Sequence, residues 1–372
     1  MGTSRYEMEA SLRAAIFGEI LLCRDRLTHE RVVVKTVDLQ LALQHKSRSQ
    51  ELVQENVLHE VEVLDRVRAL GGHPNVINMH SYFVARGGGV LHMVLDYCEG
   101  GDLLDACVQP VTADEDKSGS SVGSDSDGQG NQKEDAVAAA TLATLEEPIP
   151  EDSGGPFLNG VDGSKRLHES VAHRYLVDVL SGLRFLHSHG IAHRDVSLEN
   201  ILLRDGRAVI ADFGLCVQDP SAVGGSPAGS PTSGGDGNGS SSGGGGFRCD
   251  ETVGKNYYMA PEIVAREHYD PRRADIWSAG IAFFILLTSS PPFERAEPSD
   301  PGFRYVAKRG IKAVFTAWGL GQEVSEPMQD LLARMLSVDP TERITMEEIW
   351  QHPVLHRPRD GAASALACNQ AS

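Results

Sequence analysis

Two stretches of this chain cannot build a hydrophobic core, and their positions decide how the remainder must fold. Between Val108 and Lys165 the sequence is dominated by Ser, Gly, Asp and Glu, with almost no large apolar residue. Such a segment cannot offset the entropy of ordering itself, so a disordered insertion is predicted there. Between Asp219 and Gly246 there are eleven Gly, seven Ser and three Pro in 28 residues, the composition of a flexible linker. Neither stretch repeats. About 280 residues are left to fold, enough for a single unit with an ample core.

The first insertion also accounts for much of the charge. The chain has 34 basic and 52 acidic side chains, a net charge of −18. The Val108 to Lys165 segment holds twelve acidic and three basic residues, so it alone contributes −9. The overall acidity disfavours nucleic acid and anionic membrane as partners, but half of it lies away from the folding parts. Because loop-closure cost grows slowly with length, replacing Val108 to Lys165 by a short Gly/Ser linker is expected to leave the thermal midpoint within a few degrees.

Cysteines stand at 23, 98, 107, 216, 249 and 368 with no CxxC pair, which predicts reduced thiols rather than a disulfide or metal framework. Met1 to Glu9 is charged and has no apolar run, so no secretory signal is read there. Gly2 is followed by Tyr6 where a myristoylation signal needs Ser or Thr. The longest apolar run, Ile276 to Leu287, is too short to span a bilayer. A soluble cytoplasmic protein is expected, with the nucleus as an alternative compartment.

Short β-type runs, Ile20 to Leu22 and Val32 to Val34, precede a helical pattern from Gln50 to Leu70. In that pattern Val53, Val57, Val61, Leu64 and Val67 recur at spacings of three and four. Gly71-Gly72-His73-Pro74 ends it. Further strands are predicted at Val76 to Phe83 and Val90 to Tyr97. After the first insertion Val171, Tyr175, Val179, Leu183 and Leu186 form one apolar stripe. Ala274 to Thr288 is apolar nearly all round, as a buried helix requires. Pro327 to Leu336 and Thr345 to His352 read as amphipathic helices.

Between these elements lies a constellation with chemical content. His193-Arg194-Asp195 is followed by Asn200 and then by Ile201-Leu202-Leu203, while Asp212-Phe213-Gly214 follows the β-type run Ala208 to Ala211. This spacing places Asp195, Asn200 and Asp212 on two adjacent loops beside one short hairpin. Three oxygen-bearing side chains there can hold a hard cation and orient an attacking hydroxyl.

In these residues, and in Met259-Ala260-Pro261-Glu262, the sequence resembles the protein kinase family from about Leu12 to His352, excluding the insertions. The resemblance implies an α+β bilobal fold with a small β-rich N-lobe carrying one long helix and a larger, mainly helical C-lobe. The N-lobe would occupy residues 1–98. The C-lobe would occupy 99–357, interrupted at about 108–165 and 219–246, with a frayed tail at 358–372. The implied activity is transfer of the ATP γ-phosphoryl group to protein hydroxyls with Mg²⁺ bound. Asp195 would orient the substrate hydroxyl, Asn200 and Asp212 would hold Mg²⁺, and Lys35 would pair with the α- and β-phosphates. Glu60 is the preferred helix partner of Lys35; Glu55 and Glu62 are the runners-up, read rather as solvated faces. The Asp96 carbonyl and Cys98 amide would take the adenine edge and Asp102 the ribose. Leu12, Gly18, Ile20, Val33 and Leu202 would complete the nucleotide site. Leu64, Met79, His193, Phe213 and Asp275 would form a packed column between lobes. Glu262 and Arg343 would tie the activation segment to the last helices.

The chain departs from the family pattern in four places. Of the three glycines that usually cover the phosphates, only Gly18 is kept, with Arg13 and Ala15 standing for the others. Glu251 stands where many members carry an activating phosphothreonine, so Asp250 and Glu251 could supply that negative charge to Arg194. Ser197 stands where serine/threonine members usually have Lys, and Lys255 stands where they usually have Thr. That exchange implies that the Lys255 ammonium reaches toward Asp195 and the γ-phosphate, making it a further catalytic candidate. Serine and threonine are the expected acceptors, because Ser197 and Glu199 occupy positions where tyrosine-directed members carry Arg. The alternative to an active enzyme is a scaffold of the same fold that binds partners without transferring phosphate. No oligomeric state follows from the sequence.

Overall fold

Apolar residues alternate or run together along Gly18–Asp25, Arg31–Asp38 and Val90–Asp96 because those strands bury residues on at least one face, whereas Tyr6–Ala15 is exposed along nearly all its length. The computed structural model describes residues 5–85, 87–108, 157–159, 165–223 and 247–356. Strands β1 (Tyr6–Ala15), β2 (Gly18–Asp25), β3 (Arg31–Asp38), β4 (Met79–Val84) and β5 (Val90–Asp96) form an antiparallel sheet in the order β1-β2-β3-β5-β4. Helix α1 (Leu39–Leu43) follows β3, and α2 (Val57–Ala69) lies between β3 and β4 in the chain. Val57, Val61, Leu64 and Val67 of α2 are buried, as the helical periodicity predicts.

After β5 come α3 (Leu103–Val108), β6 (Phe157–Asn159) and β7 (Lys165–Leu167), then α4 (Glu169–Ser188) and β8 (Ile191–Ala192). The hairpin β9 (Ile201–Arg204) and β10 (Arg207–Ile210) is followed by β11 (Val217–Gln218), α5 (Pro220–Val223) and α6 (Pro261–Val264). The chain then runs through α7 (Pro271–Thr288), α8 (Pro301–Arg309), α9 (Ile311–Ala317), α10 (Glu326–Met335) and α11 (Met346–Gln351). The five-stranded sheet and this mainly helical part make a bilobal α+β fold.

Helix α7 is the centre of the helical part. It is buried on nearly every side and packs against α4, α10 and β7. Trp277, Phe283 and Phe284 are fully buried, and the Phe284 ring lies 5.0 Å from that of Phe315. Each such side chain contributes roughly 1.5–3 kcal/mol by leaving water. Asp270 caps the helix by accepting from Arg272 N, with Pro271 in the first turn where its missing N–H costs nothing.

The structure differs from the sequence reading in three places. The helix expected from Gln50 begins at Val57, because Asn56 caps it by accepting from His59 N and Gln50 has a left-handed φ of 66°. Within the segment read as a disordered insertion, Phe157–Asn159 pairs with Lys165–Leu167. Leu167 joins the core, and the buried Arg166 is ion-paired with Glu323. Three-residue strands leave no periodic signal, and the burial of Arg166 and Leu167 comes from residues distant in the chain. The linker replacement should therefore stop at residue 156. Residues 220–223 likewise form a helical turn inside the second stretch. Gly2, the rest of both insertions and the tail lie outside the described residues. Among the described residues no helix is long and apolar enough to cross a membrane.

A brace of charges spans the two parts of the fold. Asp96, at the end of β5, is ion-paired with Arg204 of β9 and accepts from His80 of β4 at 2.8 Å. Burial works against ionisation of Asp96, but His80 and Arg204 outweigh it and hold the carboxyl below its ordinary range. The hydrogen bond to Asp96 raises the His80 imidazole above its usual value. A raised folded pKa stabilises fully below about 6.5 and loses that stabilisation as pH rises through the folded value. His80→Phe is expected to remove this pH dependence, measured by urea unfolding at pH 6 and pH 9. The side chain is 40% exposed, so the difference should stay below about 1 kcal/mol.

Candidate active site

The loop between β8 and β9 is held by its backbone. Asp275 of α7, itself buried, accepts from His193 N at 2.8 Å and Arg194 N at 2.7 Å, and His187 Nε2 lies 2.8 Å from the same carboxylate. His193 packs edge-on against Phe213 with ring centroids 4.9 Å apart and reaches Ala211 O at 3.0 Å. Leu64 and Met79 are buried with them. Arg194 and Asp212 both have φ of 64°, a left-handed conformation uncommon for such residues. Strain of this kind persists only where the surroundings over-determine it.

This frame fixes three polar side chains. Asn200 Nδ2 donates to Asp195 O at 2.9 Å and to Asp195 Oδ2 at 2.6 Å. Asp195 Oδ1 is buried and has no hydrogen-bond partner. Burial pushes the Asp195 carboxyl up, against Lys255 and the Asn200 amide, which favour its ionised form. Across the cleft, Lys35 Nζ donates to Glu60 at 2.8 and 3.1 Å and lies 3.8 Å from Asp212 Oδ1. Burial would lower Lys35, yet Glu60 and Asp212 more than offset it and keep the ammonium charged. Burial likewise opposes ionisation of Asp212, but Lys35 and the Gly214 N–H hold its carboxyl low.

A cleft of about 470 Å³ lies between the sheet and the β9–β10 hairpin. Leu12, Ile20, Val33, Lys35, Glu60, Asp96, Cys98, Asp102, Asn200, Leu202 and Asp212 all line it. Lys255 lines an adjoining recess with Lys35, Asn200 and Asp212. Asp195 is not a lining residue, but it accepts from Asn200, which lines both the cleft and the recess. Gly18 is also absent from the lining. A Cβ at Gly18 would overlap the carbonyl of Thr36 on β3, so this glycine permits close strand packing rather than facing the cleft. Asp102 already accepts from Asp105 N at 2.8 Å through Oδ1. Burial raises the Cys98 thiol to about 12, and Cys23, Cys98, Cys216 and Cys249 are buried and unpaired.

Glu55 does not behave as a solvated face. It lines the recess, and a Cβ on Gly214 would meet its carboxylate at 3.2 Å. Burial and the nearby Asp212 push its carboxyl up to about 7, against the pull of Lys35. Helical spacing could not place it, because Glu55 precedes the cap of α2. Arg13 lines both the cleft and the recess; a cation in place of a loop glycine was the sequence signal for it. Glu62 is exposed, as expected.

Ion pairs join the segment after Phe247 to the rest. Arg194 Nη1 meets Glu251 Oε2 at 2.9 Å, the pairing anticipated for a permanent negative charge at that position. Arg343 meets Glu262 at 2.7 and 2.9 Å, and both side chains are buried. Among the described residues no cluster of three or more His, Cys, Asp or Glu could hold a metal ion by itself. Asn200 and Asp212 offer hard oxygen donors that suit Mg²⁺, which usually takes one or two protein ligands beside substrate phosphates and water.

Fold and cleft together define a bilobal architecture in which a Lys–Glu pair from one part faces an Asp–Asn pair from the other. A family model described as protein kinase domain matches residues 147–355, and one described as protein tyrosine and serine/threonine kinase matches residues 6–222. The chain belongs to the protein kinase family. It is similar to calcium-dependent protein kinase 8 of Oryza sativa subsp. japonica, 29% identical over 357 residues that cover 95% of this chain and 49% of that protein. CBL-interacting protein kinase 20 of the same organism is 26% identical over 382 residues, 99% of this chain and 61% of that one. Calcium-dependent protein kinase 32 of Arabidopsis thaliana is 26% identical over 360 residues, covering 96% and 49%. The chain thus spans about half to three-fifths of the length of these relatives.

Proposed function

We propose that this chain is an ATP-dependent protein kinase that transfers the γ-phosphoryl group to serine or threonine hydroxyls of protein substrates. The observation that carries the reading is Asp195 Oδ1, buried with no partner on a carboxylate that accepts from the cleft-lining Asn200. An unpaired buried carboxylate oxygen is costly in a purely structural role, whereas it is what accepting a substrate hydroxyl requires.

The other residues take roles that fit their places. Leu12, Ile20, Val33 and Leu202 enclose the adenine, the Asp96 carbonyl and Cys98 amide meet its edge, and Asp102 meets the ribose. Glu60 orients Lys35 toward the α- and β-phosphates. Asn200 and Asp212 would hold Mg²⁺, which when bound neutralises charge along the triphosphate. The domain limits follow the cleft, with an N-lobe through residue 98 and a C-lobe from 99 to 357. Ser197 and Glu199, in place of Arg, support serine/threonine acceptors.

Incubation with Mg²⁺, labelled ATP and casein, followed by phosphoamino-acid analysis, tests the proposal. Labelled phosphoserine or phosphothreonine is expected. Phosphotyrosine alone would overturn the acceptor assignment. ATP binding with no transfer to casein or to the chain itself would favour the scaffold reading.

A further inference from the structure

Lys255 occupies an unusual electrostatic position. Its Nζ donates to Ser197 Oγ at 2.6 Å and lies 3.7 Å from both Asp195 Oδ2 and Glu199 Oε2. Ser197 is fully buried within the loop that carries Asp195, and its side chain is too short to bring charge to the cleft. The recess holds two lysines, and they are committed differently. Lys35 gives two hydrogen bonds to the carboxylate of Glu60. Lys255 gives one, to a neutral hydroxyl, while its carboxylate neighbours stand beyond hydrogen-bond distance. An ammonium has three donors, so two N–H groups of Lys255 remain for an anion in the recess shared with Asn200 and Asp212.

The backbone explains how a residue 58 positions away in the chain arrives there. Gly254 has φ of 104°, and a Cβ on it would lie 3.1 Å from Arg194 O and 3.9 Å from Asp195 Oδ1. The segment therefore runs in contact with the loop of Asp195, and its next side chain is delivered to Ser197. Lys255 O accepts from Tyr258 N and Met259 N, while Glu251 anchors the segment upstream through Arg194.

We propose that Lys255 supplies the cation that binds and neutralises the γ-phosphoryl group, with Ser197 as its positioning residue. The inference rests on the kinase reading given above. The substrate hydroxyl oxygen bonds to the γ-phosphorus as the bond to the β,γ-bridging oxygen breaks. The hydroxyl proton passes to Asp195, ADP leaves with the bridging oxygen, and Lys255 stays protonated throughout. A transfer-site charge is then carried by the activation segment instead of the loop of Asp195, so correct seating of that segment completes the site.

The test compares wild type with Lys255→Ala, Lys255→Gln, Ser197→Lys and the double variant Lys255→Ala/Ser197→Lys. Single-turnover transfer is measured at saturating Mg·ATP, and ATP and ADP affinities are measured by calorimetry. The Gln variant keeps a neutral donor for Ser197 should the Ala variant fold poorly. Removing the cation is expected to slow transfer on the order of 10²- to 10³-fold and to cut ATP affinity while leaving ADP affinity unchanged. Recovery of rate in the double variant would support supply of the charge from either loop. A wild-type rate with an unchanged ATP-to-ADP affinity ratio in Lys255→Gln would overturn the proposal, as would equal losses for both nucleotides. If wild type transfers nothing, the kinase reading fails, while the affinity ratio still decides whether Lys255 meets the γ-phosphate.

Discussion

Asp195→Asn is expected to lower phosphoryl transfer by about 10²- to 10⁴-fold, the range supplied by a positioned proton acceptor. The fold and Mg·ATP affinity should survive nearly unchanged. Asn has the same shape and keeps an oxygen that can accept from the Asn200 amide, now 2.6 Å from Asp195 Oδ2. The loop itself is held through backbone bonds to Asp275 rather than through the Asp195 side chain. What the substitution removes is the buried, unpaired Oδ1 as a charged acceptor. Single-turnover assays beside calorimetric ATP titration separate the two effects. Full transfer by the variant would sink the assignment, and a matching loss of ATP affinity would relocate Asp195 to the nucleotide site.

Arg343→Met is expected to cost about 3–5 kcal/mol of stability, the size seen when one partner of a buried ion pair is removed. Arg343 and Glu262 have side chains 0% and 2% exposed and meet through two hydrogen bonds. The guanidinium also donates to Ser337 O and Arg273 O and lies 5.1 Å over the Trp277 ring. Met fills much of the volume but leaves the Glu262 carboxylate buried without a counter-charge. Against a total stability of roughly 5–15 kcal/mol, that is a large fraction. Urea unfolding followed by tryptophan fluorescence measures it. The double variant Glu262→Leu/Arg343→Met should recover much of the loss, because no orphaned charge remains. A change below about 1 kcal/mol for Arg343→Met would show that water reaches Glu262.

Local regularities carried most of the architecture into the sequence. The stripe from Val171 to Leu186 lies within α4, the all-apolar run after Ala274 is the buried α7, and the run before Asp212 is β10. The order of Asp195, Asn200 and Asp212 around one hairpin was legible because it depends on a few consecutive residues and a single tight turn. The helix start at Val57 was less so. Val53 and Val57 keep helical spacing, but a cap at Asn56 outweighs the pattern.

By itself the sequence determined most helices and strands, the residues with chemistry to offer and the loops that carry them, because side-chain type, short-range periodicity and turn chemistry are properties of neighbours in the chain; the bilobal arrangement was implied by the resemblance those motifs carry. The pairs Lys35–Glu60, Arg194–Glu251 and Arg343–Glu262 were expected from the resemblance and the tertiary structure shows them, but other placements only the tertiary structure decided. It turned Glu55 toward Gly214, and it gave Gly18 to Thr36 instead of the cleft. It also paired Arg166 with Glu323 and seated Lys255 on Ser197. Ion pairing and close backbone approach depend on distance and burial, which are set when segments far apart in the chain pack together.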